Sequence, residues 1–225
     1  MKIIDLTHRI SGATGVYPGT PPLSIEAFAT MPERSYREVM IRIPSHTGTH
    51  VDAPAHGMIN GSTLDSFSVS AFIGRAFTVD CREAVKERGA IPASVMDGFW
   101  ALADQVEYVF FYTGHDALFH SGRFFDGWPG LEPLLAKKLA DTGILAVGLD
   151  VPSVDRLNVP EAPCHNALLG AGKLIFESLN SLVQTLDGVF SVTALPLSLL
   201  NADGAPVRAV AALDGGQFAA AVHAG

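Results

Sequence analysis

The chain has 225 residues, 48% of them hydrophobic, with a formal net charge of −8 and a pI near 5.4. That acidity excludes nucleic acid and anionic membrane surfaces as expected partners, since both would repel it. No apolar run approaches the roughly 18 residues of a membrane span, no signal-peptide core follows Met1, and Cys81 and Cys164 make no disulfide framework, so a cytoplasmic protein is expected.

Met1 to Leu6 reads as a first strand, the Gly/Pro-rich stretch Ser11 to Pro22 as a loop, and Leu23 to Phe28 as a second strand. Tyr36 to Ile43 alternates, with Val39, Ile41 and Ile43 on one face and Met40 and Arg42 on the other, which predicts a half-buried strand. Arg75 to Asp80 is a further strand. Val106 to Tyr112 is a continuous apolar run ending in Thr113-Gly114, the pattern of a strand buried on both faces. Leu131 to Asp141 predicts an amphipathic helix with Leu131, Leu134, Leu135, Ala136 and Leu139 inward and Gly143 at its C-cap. Ile144 to Leu149 is a second buried strand, so strand, helix and strand predict one right-handed parallel crossover. Lys173 to Leu179, Val189 to Leu197 and Val207 to Leu213 read as strands. No repeat or linker interrupts the chain. The expectation is one α/β domain over 1–225, strand-rich, with a mixed sheet.

The segment His46 to His56 carries the chemistry. It holds three of the eight histidines, His46, His50 and His56, together with Asp52, and almost nothing bulky. Neutral imidazole and carboxylate are what a divalent ion of the zinc or manganese kind takes. All four residues share parity, so an extended chain would point them to one side. Asp52 would lie about 6.6 Å beyond His50 along a strand, close enough to meet it at one ion. His46 would lie about 13 Å away if the chain stayed straight, so a bend is needed, and Gly48 is placed to supply it. Pro44, Gly48 and Pro54 argue against a helix here.

Further candidates lie downstream. His165 falls in a short helix or turn, and Glu177 in the otherwise apolar strand Leu174 to Leu179. A carboxylate buried there needs neutralising, which an ion would do; periodicity alone equally allows a strand end facing solvent. Asp150 and Asp155 follow a buried strand and suit either the orientation of ligands or turn and cap roles. Cys164 beside His165 is a poor nucleophile, since chain neighbours rarely face each other. His115, His120 and Arg123 read as surface or hydrogen-bonded residues. Phe67, Phe72, Phe124, Phe125 and Trp128 read as core, with a pocket wall as the other possibility.

His46, Gly48, Thr49, His50, Asp52, Pro54 and His56 match every fixed position of the H-x-G-T-H-x-D-x-P-x-H signature of the cyclase family, which includes bacterial metal-dependent kynurenine formamidases (arylformamidases) and isatin hydrolases. Asp5-Leu-Thr resembles that family's opening strand, Tyr17-Pro18-Gly19 its substrate loop, and Gly148 to Asp155 its G-x-D-x-x-S-x-D segment. His165 and Glu177 match its second ligand pair, so the resemblance runs nearly end to end. It implies a swivelling β/β/α fold and two zinc ions per chain, with manganese as the alternative. It implies that His46, His50 and Asp52 hold one ion, that Asp52 bridges to a second held with His165 and Glu177, and that His56 is the general acid/base. A homodimer or homotetramer is implied as well. Kynurenine formamidases of the family usually carry Trp where this chain has Tyr17; Tyr keeps the ring, so a small aryl substrate is expected to stack there. The implied activity is hydrolysis of an amide, formamide or lactam by metal-activated water. A metal-dependent dehydrating cyclase and a non-catalytic metal or small-molecule binder are the alternatives.

Overall fold

The computed structural model describes residues 1–213. Its strands are β1 (Lys2–Asp5), β2 (Ser24–Ala29), β3 (Glu38–Arg42), β4 (His50–Asp52), β5 (Ile73–Asp80), β6 (Tyr108–Tyr112), β7 (Ala146–Leu149), β8 (Leu174–Glu177), β9 (Phe190–Pro196) and β10 (Gly204–Leu213). The α-helices are α1 (Arg82–Arg88), α2 (Trp100–Ala103), α3 (Pro133–Ala140) and α4 (Pro163–Gly170).

Eight strands form one mixed sheet in the order β1-β10-β4-β8-β7-β6-β5-β9, and β9 pairs back onto β10. The result is a closed barrel with β1 alongside. Its β5, β6, β7 and β8 run parallel, and β4 lies antiparallel between β8 and β10. Closure follows from the length of β10. Its first residues, Gly204 to Pro206, register with β4, while Val207 to Ala212 register with β9.

Side-chain alternation sorts the core into two layers. Tyr108, Phe110 and Tyr112 of β6 point into the barrel, where they meet Phe176, Phe190 and Ala209. Val109 and Phe111 point outward with Val147, Leu149 and Ile175, and are covered by Leu135 and Leu139 of α3 and Leu168 of α4. Burial on both faces is why this part of the sequence reads as unbroken apolar runs.

Four local expectations are corrected. β3 is exposed along its whole length, including Val39, Met40 and Ile41. It pairs only with β2, in a two-stranded arm separate from the barrel. Helix α3 begins at Pro133, whose fixed φ suits a first helical position, so Leu131 is buried ahead of the helix and not within it. Its inward stripe is Leu135, Ala136 and Leu139; Leu134 lies on the opposite side and is 56% exposed. The helix closes on Asp141 in an ordinary right-handed conformation, so Gly143 is not its cap.

Candidate metal centre

The early cluster is built around a short strand. Only His50 to Asp52 is extended, which puts His50 and Asp52 on one face. Gly48 adopts φ +66°, a left-handed turn that returns His46 toward the strand. His46 Nδ1 then lies 2.7 Å from Asp52 Oδ1. The first atom of any side chain at Gly204 would sit 2.5 Å from the His46 ring, so glycine is what lets β10 pass beneath it. His56 leaves the strand on a 3₁₀ turn, Pro54–His56, so parity does not govern where it points.

The downstream pair arrives from two other elements. Glu177 ends β8, directly opposite His50 in the β4–β8 ladder. His50 Nε2 is 3.3 Å from Asp52 Oδ1 and 3.5 Å from Glu177 Oε2. His165 sits in the first turn of α4. Its Nε2 is 3.6 Å from Asp52 Oδ2 and 3.4 Å from Glu177 Oε1. Asp155 fixes that turn, accepting from the backbone N–H of Cys164 and His165 and, at 2.7 Å, facing His165 Nδ1. Asp155 thus caps the helix and orients the imidazole at once. The two carboxylates, Asp52 and Glu177, each reach both His50 and His165.

Each of these three imidazoles has one nitrogen tied to an outer acceptor. His50 Nδ1 is 2.8 Å from the Gly48 carbonyl, His165 Nδ1 meets Asp155, and His46 Nε2 is 2.9 Å from Asp203 Oδ2. The other nitrogen of each faces the Asp52–Glu177 pair. Metal-binding histidines are held in this way, since the outer hydrogen bond fixes the tautomer that presents a lone pair to the ion. The residues fit a cation on a second count. His50 Nε2 and Asp52 Oδ2 are buried and lack a hydrogen-bond partner, a costly arrangement that an ion relieves. On a third, ligand atoms about 2.0–2.2 Å from one tetrahedral ion lie about 3.4 Å apart. The separations of His50 and His165 from the two carboxylates, 3.3 to 3.6 Å, centre on that value.

The electrostatics agree. Burial disfavours a charged His50, yet the carboxylates of Asp52 and Glu177 outweigh it and push its pKa up to about 10. His46 and His165 are likewise raised against burial, by Asp52 and by Asp155, Asp52 and Glu177 respectively. Burial would raise both acids, and the imidazoles around them hold Asp52 and Glu177 below the usual carboxylate range. The cluster is a buried site whose carboxylates favour positive charge, carried by the imidazoles or by a bound cation.

Above it opens a cavity of about 380 Å³, lined by His56, His165 and Glu177 on the floor and by Tyr17, Phe119 and Phe125 on the walls. The Tyr17 ring packs edge-on against Phe125 and Trp128. His56 is exposed at the cavity; its carboxylate partner among the described residues is Asp203, at 3.3 Å from Nδ1. His115 lies away from this cavity, bonded to the Phe124 carbonyl. His120 stands edge-on to His8 and Phe119, and Arg123 is exposed. Phe67, Phe72 and Phe124 pack in the core. Asp150 accepts from the backbone N–H groups of Thr113, Gly114 and His115, a turn role. Cys164 is buried, its thiol pushed up by burial and turned to the Leu131 carbonyl, so it is no nucleophile. Sequence reasoning missed Asp203 and Phe119. Asp203 sits in an ordinary Asn-Ala-Asp-Gly turn, and nothing in the sequence distinguishes it from a turn residue.

A closed strand barrel with buried imidazoles and carboxylates on the floor of an aromatic-walled cavity defines a metal-dependent hydrolase that takes a divalent ion. Residues 4–156 match the model of the Cyclase family, described as "Putative cyclase", and the chain belongs to that family. It is 34% identical over 216 residues to the kynurenine formamidase of Salinibacter ruber, covering 93% of this chain and 97% of that protein. Isatin hydrolase A from Labrenzia aggregata, bound to benzyl benzoate, superposes with a TM-score of 0.80 at 26% identity, over 93% of each chain. A potential metal-dependent hydrolase with cyclase activity superposes at 0.77 and 26% identity, over 93% of this chain and 96% of that one.

Proposed function

We propose that the protein hydrolyses the carbon–nitrogen bond of a small aryl amide, formamide or lactam. The observation that carries this reading is the set of three imidazoles, each with its outer nitrogen tied and its inner one turned on Asp52 and Glu177, beneath a cavity walled by Tyr17, Phe119 and Phe125. Two zinc ions are the proposed complement, with manganese as the alternative: His46, His50 and Asp52 would hold one, and Asp52, His165 and Glu177 the other. The distances among His50, His165, Asp52 and Glu177 support one ion, and His46 Nδ1, 2.7 Å from Asp52 Oδ1, supplies a donor for the other. When bound, such ions lower the pKa of water from about 15.7 toward about 7 and polarise a carbonyl.

The chain's own residues supply the rest. His56 faces the cavity and, in the proposed role, takes a proton from the attacking water and returns it to the departing amine. An imidazole suits this because its ordinary pKa, about 6.5, lies near neutrality. Tyr17 and Phe125 offer ring edges and faces to an aryl group. The kynurenine formamidase and isatin hydrolase relatives point to the same substrate class.

The reading extends to assembly and location. A homodimer or homotetramer is supported by the β2–β3 arm, which leaves Phe28, Val39, Met40 and Ile41 more than half exposed, at 63%, 54%, 60% and 56%. A cytoplasmic setting is supported by Cys81 and Cys164, both free and buried. Among the described residues no helix is long and apolar enough to cross a membrane.

Metal analysis of the purified protein, followed by a screen of N-formylkynurenine, isatin and simple aryl formamides with zinc and manganese added separately, tests the proposal. Release of formate, or ring opening with gain of one water, is expected. A fully metal-loaded protein that turns over none of these overturns it.

A further inference from the structure

We infer that Asp203 is a positioning residue whose single carboxylate orients both His46 and His56, setting which nitrogen each ring presents to the site. The inference rests on the proposed role of His56 and extends it to the residue that would make that role possible.

Asp203 Oδ2 lies 2.9 Å from His46 Nε2 and 3.3 Å from His56 Nδ1. An ionised carboxylate only accepts, so both nitrogens must carry protons. The same rule puts a proton on His46 Nδ1 against Asp52 Oδ1 while no cation sits between them, and leaves Nε2 of His56 as the nitrogen free to exchange a proton. The two rings lie 3.9 Å apart, tilted by 36°. Without an anion between them, the proposed ligand and the proposed proton carrier are free to turn or separate. Free imidazole has no strong reason to keep its proton on Nδ1, and a ring in the other tautomer would present an N–H where a base is needed.

The carboxylate is itself held in place. The Asp203 carbonyl accepts from Ala53 N at 2.8 Å, next in chain to Asp52. Gly204 registers with Asp52 in the β4–β10 ladder. The Ser45 hydroxyl donates to Oδ1 at 3.4 Å. Burial opposes the charge, and the hydrogen bonds and charges of His46 and His56 hold Asp203 below the ordinary carboxylate pKa. Asp203 therefore enters from the far end of the chain yet is fixed to the strand that carries His50 and Asp52.

The test combines tautomer, metal retention and rate. Imidazole ¹⁵N shifts of the zinc-loaded protein should report His56 protonated at Nδ1, and Asp203→Ala should give a mixture of tautomers. Zinc affinity, measured by chelator competition, should fall by about 10- to 100-fold in that variant, the usual cost of losing a partner to a ligating histidine. At saturating zinc, kcat on an aryl formamide should fall by a similar factor with KM unchanged. In a His56→Ala background, Asp203→Ala should cost nothing further in kcat. Unchanged tautomers, or an equal loss in both backgrounds, would overturn the inference. If His56→Ala alone leaves turnover intact, the acid–base role fails separately, and the tautomer readout still decides what Asp203 does. Should Asp203→Ala fail to fold, Asp203→Asn, which keeps the shape and removes the charge, carries the same comparisons.

Discussion

His50 and Glu177 are direct cross-strand partners, with His50 Nε2 3.5 Å from Glu177 Oε2 across the β4–β8 ladder. The pairing turns a backbone register into site geometry. If the two strands slipped by one residue, Glu177 would leave the site face altogether. Removing either carboxylate should therefore empty the site. Asp52→Asn and Glu177→Gln are expected to purify with little or no bound metal, and turnover should fall by about a thousandfold or more, the scale of the several kcal/mol an ion supplies. Elemental analysis beside steady-state rates checks this, and a full metal complement in Asp52→Asn would exclude Asp52 as a ligand.

Asp155 has two jobs, so its loss should show in two measurements. Asp155→Ala removes the acceptor for the Cys164 and His165 amides and should cost about 1 kcal/mol in denaturant unfolding. It also frees the His165 ring, which should weaken metal binding by about 10- to 100-fold. Loss of stability alone, with metal affinity intact, would reduce Asp155 to a helix cap.

The aromatic wall predicts selectivity. Tyr17→Ala should raise KM for an aryl formamide by about 3- to 10-fold, the worth of one ring contact, and leave an alkyl formamide unaffected. Tyr17→Phe should change little. Equal effects on both substrates would show that Tyr17 shapes the loop and does not touch the aryl group.

His8 gives the fold a pH dependence separate from the proposed metal ligands. Its ring is stacked on Phe119 at 3.8 Å, and burial, with the charge of His120 added, lowers its pKa to about 4. The unfolded chain binds a proton near the ordinary value, about 6.5, while the folded one refuses it. The cost is absent above about pH 6.5 and grows to roughly 3 kcal/mol as pH falls through the folded value, about 4. Thermal unfolding between those limits should be steep in the native chain and flatter in His8→Phe. The same slope in both would assign it to other groups.

The β2–β3 arm predicts self-association. Charging its exposed face with Val39→Asp and Ile41→Asp should shift the sedimentation profile to a smaller species while bound metal is unchanged. A parent chain that sediments as a monomer removes the premise.

The sequence revealed what lies close together along the chain. His46, His50 and Asp52 were legible because a single bend at Gly48 suffices to gather them, and glycine announces such bends. His165 and Glu177 were visible only as candidates, since alternation does not tell a buried carboxylate from one at an exposed strand end; the ladder to β4 decides it. Asp203 left no trace, because its role depends entirely on how β10 registers with β4. The arm misled for a related reason: Val39 and Ile41 alternate as a half-buried strand would, and no local pattern reveals that the sheet they belong to has only two strands.

The ring of strands also sets an order of events in synthesis. β10 completes the circle and is the last strand among the described residues to leave the ribosome. A nascent chain can lay β8 against β4 before then, but Asp203 has not yet emerged to clasp His46 and His56. The competent centre therefore matures only after the segment that carries Asp203 has emerged, so a shorter nascent chain can gather ions before it has the means to use them.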